Sequence, residues 1–203
     1  MRATQPGLTA LVNDGGSRVN RITIRIVIWV LGFVFTSTAV AEDKPSAREQ
    51  VESSGIFNAT WVDDQLSSSG QIAPEHVLLL QSLGVKTVVN LAVYNEEYNG
   101  SENQWVVESG MTYIHLPVDF DTPTSSDLER FYQLMDALAD EPVWVHCIAN
   151  YRASAFTYLY RINERGDSKA DAKALLDQIW TDELRDEYPQ WAELMAKHES
   201  EVI

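Results

Sequence analysis

The chain alternates short β-branched runs with segments of helical periodicity, and this alternation limits its fold more than any other feature. The β-branched runs lie at 56–62, 85–93, 111–118 and 142–147, and each is long enough for one strand of a buried sheet. A glycine follows two of the intervening helical patterns, at Gly84 and Gly110, and another, Gly166, follows the helical pattern after the last run, each at the position where helices commonly end. The sequence therefore predicts an α/β fold with a mostly parallel central sheet of about four to five strands and helices on both faces.

Two local patterns refine this expectation. The segment "SSSGQ" at 67–71 has the composition of a turn between the first strand and the first helix. Ser126 with Glu129, and Ser168 with Asp171, have the three-residue spacing of helix-capping boxes. Two later helices are therefore expected to begin at these serines.

The first 41 residues differ in composition from the rest. They contain four arginines and one aspartate, and residues 26–41 carry no charge and include the apolar run "IVIWVLGFVF". A basic start, a short apolar run and the small residues Ala39 and Ala41 predict a signal peptide cleaved after Ala41. A membrane-spanning helix would need about 20 apolar residues. We therefore expect an exported, periplasmic protein with no stable membrane anchor after cleavage, a linker at 42–55 and one domain at 56–200.

The acidic charge of the chain limits its partners. Loss of the four arginines and one aspartate would change the formal net charge from −15 to −18. A surface of this sign repels nucleic acid, so any phosphate chemistry requires a local positive site. The four histidines share no metal-ligand spacing, so neither a metal nor another cofactor is expected; they are His76, His115, His146 and His198. The composition leaves the oligomeric state open.

The only cysteine, Cys147, ends the last β-branched run, and Arg152 begins the next helical pattern. In parallel sheets, ligands bind at the carboxyl ends of the strands. There the loop amides and the helix dipole attract an anion and stabilise a thiolate, while Arg152 offers a planar fork to two phosphate oxygens. The pattern predicts a nucleophile loop at 147–152 whose backbone binds the anion through Ile148, Ala149, Asn150 and Tyr151.

Three neighbouring residues are expected to support this loop. His146 precedes the cysteine on the opposite face of the strand and is expected to hydrogen-bond the loop backbone. Ser154 lies in the first helical turn, where its hydroxyl can donate to the thiolate or cap the helix. Because the loop has no glycine, Asn150 is the residue best suited to a positive φ.

The stretch "HCIANYRAS" resembles the signature loop of the cysteine-dependent protein tyrosine phosphatase superfamily, especially its dual-specificity-like branch and short bacterial members. The resemblance extends from about Ile56 to Trp180 through "SGQ", "VKTVVNL" and "IHLPVDFDTP". It implies a hydrolase in which Cys147 attacks the phosphorus of a phosphorylated small molecule or protein and forms a phosphocysteine. Arg152 would then bind the equatorial oxygens, and Asp119, or alternatively Asp121, would protonate the leaving group.

The loop departs from that family pattern in its length. The usual loop has five residues with glycines between cysteine and arginine, whereas "IANY" has four and no glycine. A loop of this size also occurs in rhodanese-like sulfurtransferases, which use a persulfide cysteine. In a reaction of that kind, this chain would use a Cys147 persulfide. Two further alternatives remain: a catalytically inactive, phosphatase-derived module that binds an anion, and an inert, buried structural cysteine.

Overall fold

The computed structural model describes residues 44–199, which all lie in one compact unit. The predicted signal peptide lies outside the described residues. The helices are α1 (Ala47–Glu52), α2 (Pro74–Ser82), α3 (Glu102–Glu108), α4 (Ser125–Ala137), α5 (Tyr151–Asn163), α6 (Lys169–Leu176), α7 (Asp182–Glu187) and α8 (Pro189–Glu199). The strands are β1 (Thr60–Trp61), β2 (Leu66–Ser69), β3 (Thr87–Asn90), β4 (Thr112–His115) and β5 (Val143–His146).

The five strands form one sheet in the order β1-β2-β5-β3-β4. β1 pairs with β2 in the antiparallel direction, and the other neighbours are parallel. His146 at the end of β5 is in register with Ser69 of β2 and Asn90 of β3, so these strands end at the same edge. The predicted mostly parallel sheet is confirmed, and β5 delivers Cys147 to the middle of its carboxyl edge.

Helices cover both faces of this sheet, as the sequence predicts. One apolar cluster joins β5 to α4, α5, α6 and α8, and the other joins it to α1, α2 and α3. Side chains of β5 alternate between the two clusters, since Val143, Val145 and Cys147 belong to the first and Trp144 to the second. This alternation places the cysteine on the side of α5, whose first residues complete the nucleophile loop.

The predicted turn at 67–71 is wrong, because Leu66–Ser69 form strand β2. The three serines are buried in spite of their turn-forming composition. Ser69 Oγ donates to the Gly70 carbonyl and accepts the indole N–H of Trp144, so its polar group is satisfied inside the sheet. Pairing with β1 and β5 outweighs the weak strand propensity of serine here.

The segment 42–55, expected to be a linker, contains helix α1. Ser46 and Glu49 form a capping box at its start, and Val51 is 1% exposed within the second apolar cluster. One apolar side chain in a polar segment gives little sequence signal, yet its burial is sufficient to dock a short helix. The folded unit therefore begins before residue 56.

Helix α4 begins two residues earlier than its predicted capping box. The side chain of Thr124 accepts the Asp127 N–H, and Asp127 in turn accepts the Thr124 N–H. The expected pair Ser126 and Glu129 lies inside the helix instead. The cap of α6 at Ser168, which accepts the Asp171 N–H, agrees with the prediction.

The sequence does not predict helix α7, because none of its residues is buried and its apolar pattern is weak. Among residues 44–199, no helix combines the length and apolarity needed to cross a membrane. The same residues contain no group of three or more side chains suited to a metal ion.

Candidate active site

The nucleophile loop, residues 147–152, opens into a cavity of about 300 Å³ at the carboxyl edge of the sheet. Cys147 and Arg152, the two ends of the predicted loop, both line this cavity, although Cys147 is only 1% exposed. The complete lining consists of Phe120, Cys147, Ile148, Ala149, Tyr151, Arg152 and Tyr188. The structure therefore brings together the predicted nucleophile, the predicted anion clamp and three of the four residues between them.

Backbone hydrogen bonds from the end of β2 hold the loop in place. The Cys147 N–H donates to the Ser69 carbonyl at 3.2 Å, and the Gln71 N–H donates to the Ile148 carbonyl at 2.9 Å. Between these bonds, a Cβ on Gly70 would lie 2.8 Å from the Ile148 oxygen. Only glycine permits this approach of the two backbones.

Asn150 has φ +68°, so the expected left-handed residue of the loop is confirmed. Its side chain is fixed as well: Asn150 Nδ2 donates to the Asn58 carbonyl at 2.6 Å, and Asn58 Nδ2 donates to the Ala149 carbonyl at 3.0 Å. Asparagine tolerates this conformation better than most residues, and the two amide bonds stabilise it. The loop thus turns without glycine.

Asn150 is also the N-cap of α5, and the first bond within that helix runs from the Ser154 N–H to the Asn150 carbonyl at 2.9 Å. The amides of Tyr151, Arg152 and Ala153 consequently have no acceptor inside the helix. Together with the positive end of the helix dipole, they favour an anion in front of the helix. Ser154 Oγ donates to the Asn150 carbonyl at 2.6 Å, so this hydroxyl bonds the helix backbone.

Arg152, the last residue of the nucleophile loop, is 6% exposed and contacts the acid loop, which we define as residues 118–122. Its Nη1 donates to the Val118 carbonyl at 3.0 Å, and its Cζ lies 5.6 Å from the centroid of the Phe120 ring. Its buried Nε has no hydrogen-bond partner among the described residues. One part of the guanidinium thus fixes the acid loop, while Nε can donate to an anion.

The two candidate general acids lie on the acid loop on either side of Phe120. Both are exposed, and only Phe120 of the three lines the cavity. Asp119 Oδ1 accepts the backbone N–H groups of Thr122 and Asp121, each at 2.9 Å. These hydrogen bonds, with a smaller contribution from the charge of Arg152, lower the pKa of Asp119 below its ordinary value.

His146 supports the loop from the opposite side of the sheet and contacts a buried carboxylate. Its Nδ1 lies 3.4 Å from the Cys147 carbonyl oxygen, in agreement with the expected bond to the loop backbone. Its Nε2 lies 2.5 Å from Glu102 Oε1, close but without the directional geometry of a hydrogen bond. Gln71 Nε2 donates to Glu102 Oε2 at 2.6 Å, so the carboxylate joins His146 to the residue that binds Ile148.

Sequence reasoning missed Glu102, Gln71 and the aromatic wall of the cavity. Glu102 belongs to a polar segment that is typical of a solvated surface, yet its side chain is completely buried. Tyr188 is distant from the motif in sequence, and its ring reaches Phe120 in an edge-on contact with centroids 4.9 Å apart. In sequence Glu102 lies 44 positions before His146, so no local pattern signals their contact.

The family model described as PTP-NADK, a DSP-PTPase phosphatase fused to NAD+ kinase, matches residues 46–189. The chain belongs to this family of cysteine-dependent, protein tyrosine phosphatase-like proteins. The match includes the nucleophile loop, the acid loop and helix α1, so the resemblance carried by "HCIANYRAS" is confirmed.

Solved structures share this fold, and one of them is more than 30% identical to the chain. A DUF442 protein from Shewanella putrefaciens CN-32, whose phosphatase assignment is provisional, is 32% identical over 79% of this chain and 99% of its own, with a TM-score of 0.65. A cysteine-to-serine variant of Pseudomonas aeruginosa TpbA in complex with pTyr is 23% identical over 68% and 82% of the two chains, with a TM-score of 0.54. PTPMT1 in complex with PI(5)P is 19% identical over 71% and 96%, with a TM-score of 0.53. No curated protein matches the chain.

The buried contacts of Glu102 in this DSP-PTPase family member lead to a stability prediction. Glu102→Ala should lower the free energy of unfolding by about 1–3 kcal/mol, because it removes the carboxylate beside the fully buried His146 imidazole and one of the two acceptors of Gln71 Nε2. Urea denaturation followed by circular dichroism measures this change. The exposed Glu108 of the same helix provides the control, and Glu108→Ala should stay within about 0.5 kcal/mol of wild type. Equal effects of the two substitutions would contradict a structural role for the buried carboxylate.

Proposed function

We propose that the protein hydrolyses phosphomonoesters through a phosphocysteine intermediate on Cys147. The observation that carries this proposal is the buried Arg152, which lines one cavity together with Cys147 at the start of α5 and whose Nε has no hydrogen-bond partner among the described residues. A permanently charged fork beside a cysteine at a helix N-terminus suits an oxyanion that is attacked by sulfur. The alternative that Cys147 is an inert structural residue does not explain why a buried arginine lines the same cavity.

The reaction then proceeds in two balanced steps. The thiolate of Cys147 attacks phosphorus, the bond from phosphorus to the ester oxygen breaks, and Asp119 gives its proton to the departing alcohol. Water next attacks the phosphocysteine and loses a proton to the Asp119 carboxylate, while the sulfur–phosphorus bond breaks and inorganic phosphate leaves. Arg152 and the amides at the start of α5 bind the equatorial oxygens in both steps.

The lining of the cavity favours aryl phosphates among the possible phosphorylated substrates. Phe120, Tyr151 and Tyr188 line this cavity, and Arg152 is the only basic residue among those that line it. Aromatic walls suit a planar phenyl ring, whereas a substrate with several phosphates would require more than one cation. The pTyr complex of TpbA is consistent with an aryl substrate for a protein of similar fold.

A persulfide sulfurtransferase is the second candidate, and the length of the loop favours it. Only four residues separate Cys147 from Arg152, so the ring of amides is smaller than the usual phosphatase loop. In this reaction the thiolate would take the sulfane sulfur of thiosulfate and release sulfite. Cyanide would then remove that sulfur from the Cys147 persulfide as thiocyanate. The acid loop has no role in these steps.

The first test compares both reactions in the same preparations. Wild type should hydrolyse p-nitrophenyl phosphate and be inhibited by vanadate, and Cys147→Ser should lose at least about 10³-fold in kcat because it removes the nucleophile. Arg152→Lys should lose about 10²-fold, since lysine cannot bind two oxygens as a planar fork.

Arg130→Lys provides the matched control for this test. Arg130 is exposed on α4 and pairs with Asp127. Its substitution should leave kcat for p-nitrophenyl phosphate and the inhibition by vanadate unchanged. Thiocyanate production from thiosulfate and cyanide without phosphate release would instead establish the sulfurtransferase. Vanadate binding without either turnover would identify the inactive anion-binding module.

Asp119 leads to a prediction on pH and leaving group. Asp119→Asn should lower kcat for phenyl phosphate by about 10²-fold, the usual scale for loss of a general acid. Asp119 donates a proton only below its pKa, which the turn lowers. The wild-type kcat should therefore fall as the pH rises through an acidic range, and this fall should be absent in Asp119→Asn. Asp121→Asn is the matched control, and loss of the pH limb in that variant alone would assign the acid to Asp121.

We also propose that the protein is exported to the periplasm and released by cleavage after Ala41. The support is the order of basic start, apolar run and paired small residues at Ala39 and Ala41. Expression of the full chain, followed by cell fractionation and amino-terminal sequencing, should give a periplasmic protein that begins at Glu42. Ala39→Lys should block processing, and an uncleaved cytoplasmic protein in wild type would refute the proposal.

A further inference from the structure

Two buried tryptophans on the α5 side of the sheet contact the two loops of the candidate active site. Trp180 and Trp191 are both 0% exposed, and their ring centroids lie 6.2 Å apart. Trp180 lies between α6 and α7, and Trp191 lies in the first turn of α8. Neither lines the cavity, so each can act on the chemistry only through the residues that it holds.

Trp191 holds the acid loop at its centre. Its indole N–H donates to the Phe120 carbonyl at 2.8 Å, and its ring lies 5.7 Å from the Phe120 ring. Gln190 Nε2 is a second, longer donor to the same carbonyl at 3.4 Å. Phe120 stands between Asp119 and Asp121, so this hydrogen bond fixes the backbone on which both candidate acids lie.

Trp180 makes the corresponding contact with the nucleophile loop. Its indole N–H donates to the Tyr151 carbonyl at 3.1 Å, and its ring lies 5.6 Å from the Tyr151 ring. Tyr151 is the first residue of α5 and immediately precedes Arg152. This hydrogen bond therefore fixes the backbone that presents the helix amides and the guanidinium to the anion.

We propose that Trp191 and Trp180 are positioning residues for two different steps of the reaction proposed above, on which this inference rests. Trp191 positions the general acid through Phe120, and Trp180 positions the anion clamp through Tyr151. For a tryptophan that only fills the core, any hydrogen-bond acceptor for its N–H is sufficient, and Trp144 donates to Ser69 Oγ in this way. Trp180 and Trp191 instead donate to backbone carbonyls of the two loops that must converge on one phosphoryl group.

The two roles have different kinetic signatures. A general acid assists departure of a basic leaving group strongly and of an acidic leaving group little. Displacement of the acid loop should therefore slow hydrolysis in proportion to the basicity of the leaving group. Displacement of the anion clamp should weaken the binding of all phosphate esters and of vanadate without regard to the leaving group.

The test measures kcat and KM for a series of aryl phosphates from dinitrophenyl to unsubstituted phenyl phosphate. Trp191→Phe should lower kcat for phenyl phosphate by roughly 10-fold, the scale of a small misplacement of a catalytic group, and leave dinitrophenyl phosphate nearly unchanged. Adding Gln190→Ala should steepen this dependence on the leaving group. Trp180→Phe should raise KM for every substrate and should also raise the inhibition constant of vanadate. The dependence of kcat on the leaving group should stay as in wild type.

Trp105→Phe provides the control for loss of an indole, because Trp105 packs against the second apolar cluster and should retain both wild-type signatures. If Trp191→Phe lowers kcat equally for all the aryl phosphates, Trp191 is a core residue and the inference is wrong. If Trp191→Phe does not fold, site-specific replacement of Trp191 by benzothienylalanine keeps the bicyclic shape and removes the N–H. That variant must show the same steepened dependence, and a wild-type dependence would refute the inference. Inactive wild-type enzyme would instead reject the proposed function itself.

Discussion

The site is organised around a buried cation, the guanidinium of Arg152. Burying a charge is unfavourable unless dipoles or opposite charges compensate it, and within residues 44–199 Arg152 forms no ion pair with a carboxylate. The Val118 carbonyl and the face of Phe120 supply part of the compensation. The acid loop must lie where these two groups reach the guanidinium, and the proposed phosphoryl dianion would complete the balance. The Arg152 side chain thus links the acid loop to the nucleophile loop that it ends.

This arrangement also provides a local positive site for the anion that we propose an acidic protein binds. The formal net charge is −15, so long-range attraction does not bring phosphate to the site. Local attraction comes from Arg152, the positive end of α5 and the amides of its first turn, all within a buried region where charges are weakly screened. An exposed carboxylate at Asp119 can lie close by because the amides of its own turn stabilise its charge.

Much of the fold follows from patterns within single segments. The β-branched runs located β3, β4 and β5, and the cysteine–arginine spacing located the loop and its left-handed Asn150. Features that depend on contacts between distant segments were not predictable in this way. Strand β2 consists of a leucine and three serines that become a strand only because β1 and β5 pair with it, and Glu102 is polar in sequence but buried by Gln71 and His146. Tyr188 likewise becomes part of the site only when the last helices pack against Phe120.

The contact between Gly70 and the Ile148 carbonyl has a consequence for how such a site can diversify. The nucleophile loop is positioned by main-chain groups of Ser69 and Gln71 and by the amide of Asn58. Ile148 and Ala149 line the cavity, and their side chains, by contrast, form none of these supports. In the proposed phosphatase, the backbone supports of the loop are therefore separate from these two side chains, so substitution of Ile148 or Ala149 can change substrate preference while the geometry of the loop is preserved.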